Sequence, residues 1–435
     1  MKIVIAFLLP TLLIAQSSPE LQQILERLQR LENENRALAE EVRALRRELA
    51  AGRAEAPLEE KVEVQEKRIE EQAQTKVEAS QRFPIRISGM ALFNAFLNSK
   101  GAAGADNPSI VPIGPGPATG GATLRQSVIG LNYQGPETLW NGKLSGSLFM
   151  DFFAGTSQPL NNLMRIRIAS IQVDWQTRTL MVGQEKPLIS KREPNSLSQV
   201  GVSPLTNSGN LWLWQPQVRF EQRFTISGET SIRAQAAVYQ TSEASASVPP
   251  AFASTLERAR PALQGRLEIA RQIGEGRRIE IAPGFHTSST HVAGTSVDSN
   301  LVSFDWFLNP WSRLEFSGMF FSGQNVANMG ALRQGFTILD SGRVIPVHSR
   351  GGWAQITLLP TSRLSLNFYG GQQDDRDSDL RPGGFGKNQS YAGNIMYRLA
   401  PNVIMSFETA HVRTSYLGTG TRLNNHYDLA LGYLF

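Results

Sequence analysis

The chain has 435 residues, a formal net charge of +5 and a mean hydropathy of −0.23. It contains no cysteine, which excludes disulfide bonds, thiolate metal ligands and a cysteine nucleophile. Beyond the N-terminus no run of about 18 apolar residues occurs, so the sequence excludes a helical membrane protein.

The first residues, MKIVIAFLLPTLLIAQSS, are typical of a secretory signal peptide. Lys2 precedes an apolar stretch that is too short to span a bilayer, and small and polar residues follow it. We expect residues 1–15 to be the signal peptide, with cleavage after Ala15. A buried N-terminal helix is the alternative interpretation.

From Leu21 the apolar residues follow a heptad pattern, which predicts a coiled coil and a linker over residues 16–82. Asn35 lies at a core position, where a polar residue costs stability but fixes register and strand number. We therefore expect this segment to oligomerise. The core contacts would come from Leu28, Leu31, Asn35, Leu38, Val42 and Leu45.

At Ile85 the apolar period changes from 3.6 to 2 residues, and it stays near 2 as far as Phe435. Alternation of this kind predicts β-strands with two different faces. We mark sixteen segments, which predict an all-β transmembrane barrel of about 16 antiparallel strands over residues 83–435. The segments begin at Ile85, Leu124, Lys143, Arg165, Thr179, Trp212, Ser231, Ala259, Arg278, Asn300, Arg313, Gly352, Arg363, Asn388, Val403 and Asn424.

The connections between these segments alternate in length. Tight links such as QTR, SGET and GEGR take turns with five long ones, at residues 99–122, 187–210, 241–258, 327–348 and 374–387. Transmembrane barrels keep short turns on the periplasmic side and long loops outside, whereas a soluble sandwich has no reason to do so. An even number of strands places both ends of the barrel in the periplasm.

Charged side chains should point into the lumen, because a charge on the lipid face is costly. Residues 1–81 hold 12 of the 43 basic and 15 of the 38 acidic residues, so the rest of the chain has a formal charge of +8 and favours anions. The alternative is that the arginines only neutralise lumen carboxylates. The expected pore-lining residues are Arg219, Arg223, Arg233, Arg260, Arg266, Lys186, Lys191, Arg192, Glu221 and Asp151.

Arg165 and Arg167 do not fit this assignment. Strict alternation with Ile171, Val173 and Trp175 would place both arginines on the outer face. Either a bulge intervenes or the arginines lie at the outer rim, above the lipid.

The chain ends in HYDLALGYLF, with an apolar or aromatic residue at every second position. This motif resembles the last strand of Gram-negative outer-membrane barrels, which the barrel-assembly machinery reads as a signal. The resemblance makes this segment an assembly signal as well as the closing strand. Its residues here are Tyr427, Leu429, Leu431, Tyr433 and Phe435.

A coiled coil before such a barrel resembles the DcaP-like outer-membrane porins and, more distantly, the phosphate-selective porins. Locally the resemblance rests on MVGQEKPLIS and LWLWQPQVRFEQRF, on either side of a long loop. It implies a trimer of sixteen-stranded barrels in which the loop after strand five folds into the pore and narrows it. The sequence departs from the family at WLWQPQ, where relatives tend to carry an arginine just before Pro-Gln.

Together these features predict an outer-membrane porin of a Gram-negative-type bacterium, with its coiled coil in the periplasm. It would form a water-filled channel for passive diffusion of small hydrophilic, anionic solutes. The expected partners are the lipid bilayer, lipopolysaccharide, the barrel-assembly machinery and two further copies of the chain. The alternative function is a structural barrel whose coiled coil tethers the envelope.

An enzyme finds little support in the sequence. The five histidines lack metal-ligand spacing, and neither a G-x-S-x-G motif nor a phosphate loop occurs, so we expect no catalytic residue, no metal and no cofactor. We also expect no nucleic-acid partner, because the excess arginines alternate along strands instead of forming an exposed patch.

Overall fold

The computed structural model divides into two compact units, Met1–Ser80 and Gln81–Phe435. The residues that the structure describes are 30, 33–34, 37–38, 40–44, 84–101, 104–155, 162–242, 248–257 and 259–435. In the first unit the described residues are helical, and they include Leu38 and Val42. The signal peptide and Leu28, Leu31, Asn35 and Leu45 lie outside the described residues, so the coiled coil stays a prediction.

No helix among the described residues is long and apolar enough to cross a membrane. The second unit consists mainly of strands, with short 3₁₀ helices at Pro250–Thr255, Ala327–Met329 and Asp377–Asp379. The described strands are β1 (Ile85–Asn98), β2 (Thr119–Thr123), β3 (Val128–Leu139), β4 (Gly142–Ala154), β5 (Leu163–Asp174), β6 (Arg178–Glu185), β7 (Gln215–Thr225), β8 (Thr230–Ser242), β9 (Ala259–Gly274), β10 (Arg277–Val292), β11 (Thr295–Trp311), β12 (Leu314–Gln324), β13 (Phe336–Ile338), β14 (Val344–Pro346), β15 (His348–Thr361), β16 (Leu364–Asp375), β17 (Phe385–Ala400), β18 (Val403–Tyr416) and β19 (Gly420–Leu434).

Antiparallel pairing closes these strands into a barrel, with β19 hydrogen-bonded to β1. β2 and β3 pair with successive halves of β1, so they form one interrupted strand and the barrel has sixteen strands. β13 and β14 form a separate small hairpin. The predicted barrel of sixteen strands is thus confirmed. The predicted start of the second strand at Leu124 was wrong, because Gly120 and Gly121 hide the strand character of β2.

The connections differ at the two ends of the barrel. At one end, the short-turn end, the links have two to four residues, at 140–141, 175–177, 226–229, 275–276, 312–313, 362–363 and 401–402. Trp140 and Asn141 have φ angles of 50° and 59°, as two-residue hairpin turns require. The opposite, long-loop end carries the five long connections predicted from the sequence, and Phe435 lies at the short-turn end.

Alternate residues along each strand face opposite sides of the wall. On β19, Tyr427, Leu429, Leu431 and Tyr433 are exposed on the outer surface, whereas the residues between them are buried on the lumen side. Such a row of outward apolar side chains is suited to a hydrocarbon environment. The backbones of Phe435 and Gly89 exchange hydrogen bonds of 2.9 and 3.1 Å, so the last residue helps to close the barrel.

A β-bulge in β5 explains the position of the two arginines that strict alternation misplaces. Phe149 of β4 pairs with Ile168, but the next residue, Met150, pairs with Ile166, which leaves Arg167 as an extra residue. The bulge reverses the alternation, so Arg165 and Arg167 turn inward. The expectation from strict alternation was wrong, and the bulge is the alternative that holds.

Candidate functional site: a loop-filled lumen

The connection between β6 and β7, residues 186–214 and here called the inner loop, folds into the lumen. Its backbone amides need partners there, and side chains of the barrel wall provide them. The amide of Leu188 donates to the hydroxyl of Tyr239 at 2.7 Å and to Gln264 at 3.0 Å. The amide of Asn195 donates to Gln355 at 2.7 Å. The loop therefore crosses from β8 and β9 to β15.

The next stretch of the inner loop contacts the remaining wall. Ser196 donates to a carboxylate oxygen of Glu408 at 2.7 Å, and Asn94 donates to the carbonyl of Leu197 at 2.8 Å. Gln126 accepts hydrogen bonds from two successive loop amides at 2.7 and 2.8 Å. The loop after the fifth barrel strand thus reaches β18, β1 and the link between β2 and β3. It lies inside the lumen, as the resemblance to porins implies.

A second loop, residues 325–347, packs against the inner loop. Val326, Met329 and Ala331 of this loop join Ile189 and Leu205 of the inner loop in one buried apolar cluster. Lumen-facing side chains of the wall complete the cluster; they include Leu301, Met319, Phe321 and Trp353. The sequence pattern did not reveal this packing, because it depends on two segments more than 100 residues apart.

Glu193 holds the base of the inner loop together. Its carboxylate accepts hydrogen bonds from Lys186 at 2.6 Å and from Ser203 at 2.5 Å. Burial raises the pKa of Glu193, but the charge of Lys186 and the two hydrogen bonds outweigh burial and hold the pKa below its ordinary value of 4.5. The ion pair between Glu193 and Lys186, here called the clasp, therefore remains charged at neutral pH. Lys186, a predicted pore-lining residue, is engaged in this pair.

The inner loop also enters a group of paired charges on β7–β11, here called the charge network. Lys191 contacts Glu268 at 3.0 Å, and burial lowers the pKa of this lysine although Glu268 opposes that effect. Arg192 contacts Asp305 at 3.1 Å and also Glu280. Loop and wall are thus joined by ion pairs whose carboxylates are largely buried, which strengthens the attraction within each pair.

Arg266 is the centre of the charge network, with its side chain only 1% exposed. It contacts Asp305 at 2.7 Å and Glu268 at 2.8 Å. Arg233 joins Glu268 to Glu221, which it approaches to 3.6 Å. Each buried carboxylate is therefore shared between two or more bases, and each base is held by at least one carboxylate.

The network keeps a small positive excess. Its members are six bases, Lys191, Arg192, Arg219, Arg233, Arg266 and Arg278, and four acids, Glu221, Glu268, Glu280 and Asp305. The difference is +2. Lumen carboxylates therefore neutralise most of the positive charge that these bases bring into the lumen.

Four residues of the charge network are absent from the expected pore-lining set: Glu268, Arg278, Glu280 and Asp305. They fall on the inward face of β9, β10 and β11, so the alternation could have identified them. Nothing local to these strands, however, shows that Arg192 of the inner loop approaches Glu280 and Asp305. Tertiary contacts alone define the network.

A second charged group lies on β4 and β5. Asp151 is fully buried, at 2.6 Å from Arg165 and 3.8 Å from Arg167. Both guanidinium groups lie about 5 Å from the ring of Trp214, at 5.1 and 4.8 Å. Asp151 was predicted to line the pore. The structure instead places it beneath the two arginines, with no surface of its own, since they cover it.

The remaining predicted residues have no ion pair with the described members of the network. Arg223 is exposed near the short-turn end of β7, opposite Arg233 in the pairing register. Arg260 lies at the long-loop end of β9 and contacts Glu257 and His291. Of the predicted residues, the network thus includes Arg219, Arg233, Arg266, Lys191, Arg192 and Glu221, and it does not include Arg223, Arg260, Lys186 and Asp151.

A cavity of about 500 Å³ with both polar and apolar lining residues lies between the inner loop and the wall. Arg167, Glu193, Asn195, Glu315 and Asn367 are among its lining residues. Amide and charged groups of this kind can replace part of the hydration shell of a small polar solute. The arrangement is therefore suited to hydrophilic solutes.

A closed barrel of sixteen antiparallel strands with an inward loop after the fifth strand is the fold of outer-membrane porins. The chain is similar to the outer membrane channel DcaP of Acinetobacter baumannii, with 15% identity and a TM-score of 0.67 over 81% of this chain and 97% of that chain. It is also similar to an anion-selective porin from Comamonas acidovorans, with 13% identity and a TM-score of 0.53 over 81% of this chain and 99% of that chain.

Similarity at this level of identity establishes the shared fold, and it supports the predicted likeness to DcaP-like porins at that level. No protein-family model matches the sequence. A search of curated proteins found no match.

Proposed function

We propose that the chain is an outer-membrane porin that lets small hydrophilic solutes diffuse passively, with a weak preference for anions. The observation that carries this proposal is the charge network, in which six bases and four acids join the inner loop to the barrel wall. Charges in a lumen are useful to a channel because they replace solute hydration and select by sign.

The anion preference is weak because most bases already have a partner. A high-affinity anion site needs several unpaired donors around one point, whereas Arg266 uses its donors on Asp305 and Glu268.

The assembly of the porin would use both ends of the chain. The coiled coil of residues 16–82 lies in the periplasm and contributes to a trimer through Leu28, Leu31, Asn35, Leu38, Val42 and Leu45. The final strand, with Tyr427, Leu429, Leu431, Tyr433 and Phe435, acts as the signal for the barrel-assembly machinery. The outward apolar rows of the barrel contact the bilayer.

Liposome swelling tests the channel function. Liposomes that contain the folded protein should swell in isotonic solutions of small neutral sugars, at rates that fall as the sugar becomes larger. Small organic anions should enter faster than cations of the same size. Liposomes with folded protein that do not swell in any of these solutes would contradict the proposal and favour the envelope-tethering alternative.

A further inference from the structure

The outer wall of the barrel between β11 and β17 carries a groove with a floor of small residues. Strand pairing aligns Trp306, Gly318, Ala354, Gly370 and Tyr391 in one row across five strands. Between the rings of Trp306 and Tyr391, the side chains in this row are therefore only the hydrogen atoms of the two glycines and the methyl group of Ala354. The resulting groove, here called the outer groove, has a volume of about 570 Å³.

The next outward row towards the short-turn end is apolar. It consists of Leu308, Phe316, Ile356 and Phe368, which pairing aligns on four adjacent strands. Ile356 and Phe368 are exposed on the outer surface. Towards the short-turn end the groove therefore opens onto a surface suited to hydrocarbon chains.

Towards the long-loop end the outward rows become polar and basic on the side of β16–β18, whereas Phe304 and Phe320 continue the apolar surface on β11 and β12. The first contains Gln372, Gln389 and Arg413 in register. Among the described residues Arg413 has no carboxylate within 4 Å, and it is exposed. The same arginine lines the outer groove. The groove thus passes from an apolar floor to a cationic rim within two residues of strand.

The second of these rows consists of Arg350, Asp374 and Lys387. Asp374 is 3.2 Å from Arg350 and 3.9 Å from Lys387, so one carboxylate faces two bases. With Arg413 the rim holds three bases and one acid. The side chain of Arg350 is 73% exposed, which leaves guanidinium donors directed at the surroundings.

We propose that the outer groove binds an anionic amphiphile, a phosphorylated glycolipid of the outer leaflet, with an acyl chain on the small-residue floor and a phosphate at the basic rim. The inference rests on the proposed function in that it places this wall in an outer membrane. Arginine and lysine beside an apolar surface form the complement of a phosphate joined to hydrocarbon chains.

A second copy of the chain is a poorer occupant of the outer groove. The basic rim would need acidic partners on the second copy. The outward residues of β1, the strand that closes the barrel with β19, are instead apolar; they include Ile87, Phe93 and Leu97. Burial of Arg350 and Arg413 against such a surface would leave their charges without compensation, which is costly. Charge complementarity therefore favours the glycolipid.

Native mass spectrometry of the detergent-purified oligomer tests the inference, with bisphosphorylated lipid A as the probe and phosphatidylethanolamine as a zwitterionic comparison. The wild-type protein should bind lipid A in preference. The double variant R350Q/R413Q should lose roughly 25-fold in affinity, since each base near a phosphate contributes about five-fold. The variant A354L, which fills the floor and leaves the rim unchanged, should also weaken binding.

Arg398→Gln is the control, because Arg398 is an exposed arginine at the short-turn end of β17, on the inner face and remote from the basic rim. It should bind lipid A as the wild type does. Unchanged binding in both R350Q/R413Q and A354L would overturn the inference. Dissociation of the oligomer in these variants would overturn it as well and identify the groove as a protomer interface. Loss of conductance with lipid binding retained would instead overturn the proposed function alone.

Discussion

At the scale of single residues, Glu268 is the most heavily shared carboxylate of the charge network. Lys191, Arg233 and Arg266 all contact it. Because Glu268 is buried, its charge needs these bases as partners, and the bases in turn depend on Glu268 for compensation. Removal of this one negative charge would raise the excess of the network from +2 to +3 without altering the backbone of β9.

Glu268→Gln should therefore increase the preference for anions. A unit charge about 8 Å from a passing ion in a water-like medium contributes about 0.5 kcal/mol, which corresponds to roughly a two-fold change in the permeability ratio. The measurement is the reversal potential of the variant across a salt gradient. Glu229→Gln, in an exposed short turn, removes the same charge outside the lumen and should leave the ratio unchanged. An unchanged ratio in E268Q would mean that ions do not pass the network.

At the scale of elements, the inner loop is held at its base by Glu193 and across the lumen by hydrogen bonds to the wall. The lowered pKa of Glu193 gives this clasp a defined pH dependence. Because the pKa is depressed, the stabilisation is fully present above the ordinary value of 4.5 and is lost as the pH falls through the lowered value.

Single-channel conductance should thus stay constant from neutral pH down to about 4.5 and change only below it. The variant E193Q, which cannot hold Lys186 by charge, should lack this acidic transition and show a more variable conductance at neutral pH. Conductance recorded over a pH series in both proteins decides the matter. A transition between pH 5 and 7 that persists in E193Q would show that another group controls the loop.

The bulge in β5 is a second feature that acts at the scale of an element, since it turns Arg165 and Arg167 towards Asp151. Deletion of Arg167 would restore regular pairing and leave Arg165 on the inner face, because Ile166 and Arg165 already pair with Met150 and Asp151.

We expect the deletion variant to give folded, heat-modifiable barrel in membranes in the same yield as Arg167→Ala, which keeps the extra residue. Little folded barrel from the deletion variant alone would contradict this register. It would indicate that Arg165 had turned to the lipid face, where an arginine costs up to about 2–4 kcal/mol, depending on depth.

At the scale of the whole molecule, the sequence analysis was most successful where structure is local. Alternation and turn length depend on neighbouring residues, and they predicted sixteen strands, their two faces and the five long loops. Arg167 marks the limit of prediction from alternation. A bulge exists only relative to the paired strand, and no pattern within β5 specifies it. Asp305 and Met329 show the same for the lumen, because their partners lie on loops that come from distant parts of the chain.

The proposed oligomeric state depends on the predicted coiled coil, and this prediction belongs to the scale of the whole molecule. Substitution of both Leu31 and Leu38 by Glu should place charges in the helical core and weaken the oligomer, while the barrel still folds. The mass of the detergent complex measures the effect. Gln29→Glu, outside the core positions, is the control and should leave the mass unchanged. An intact oligomer in the double variant would show that the barrels associate without the coiled coil.

The most direct test of the central claim is the conductance of the wild-type oligomer in a planar bilayer across a potassium chloride gradient. A porin with a net positive charge network should open in groups of three and give a reversal potential that modestly favours chloride. A reversal potential that favours potassium would contradict the assignment of selectivity to the network. A folded oligomer without conductance would contradict the channel itself.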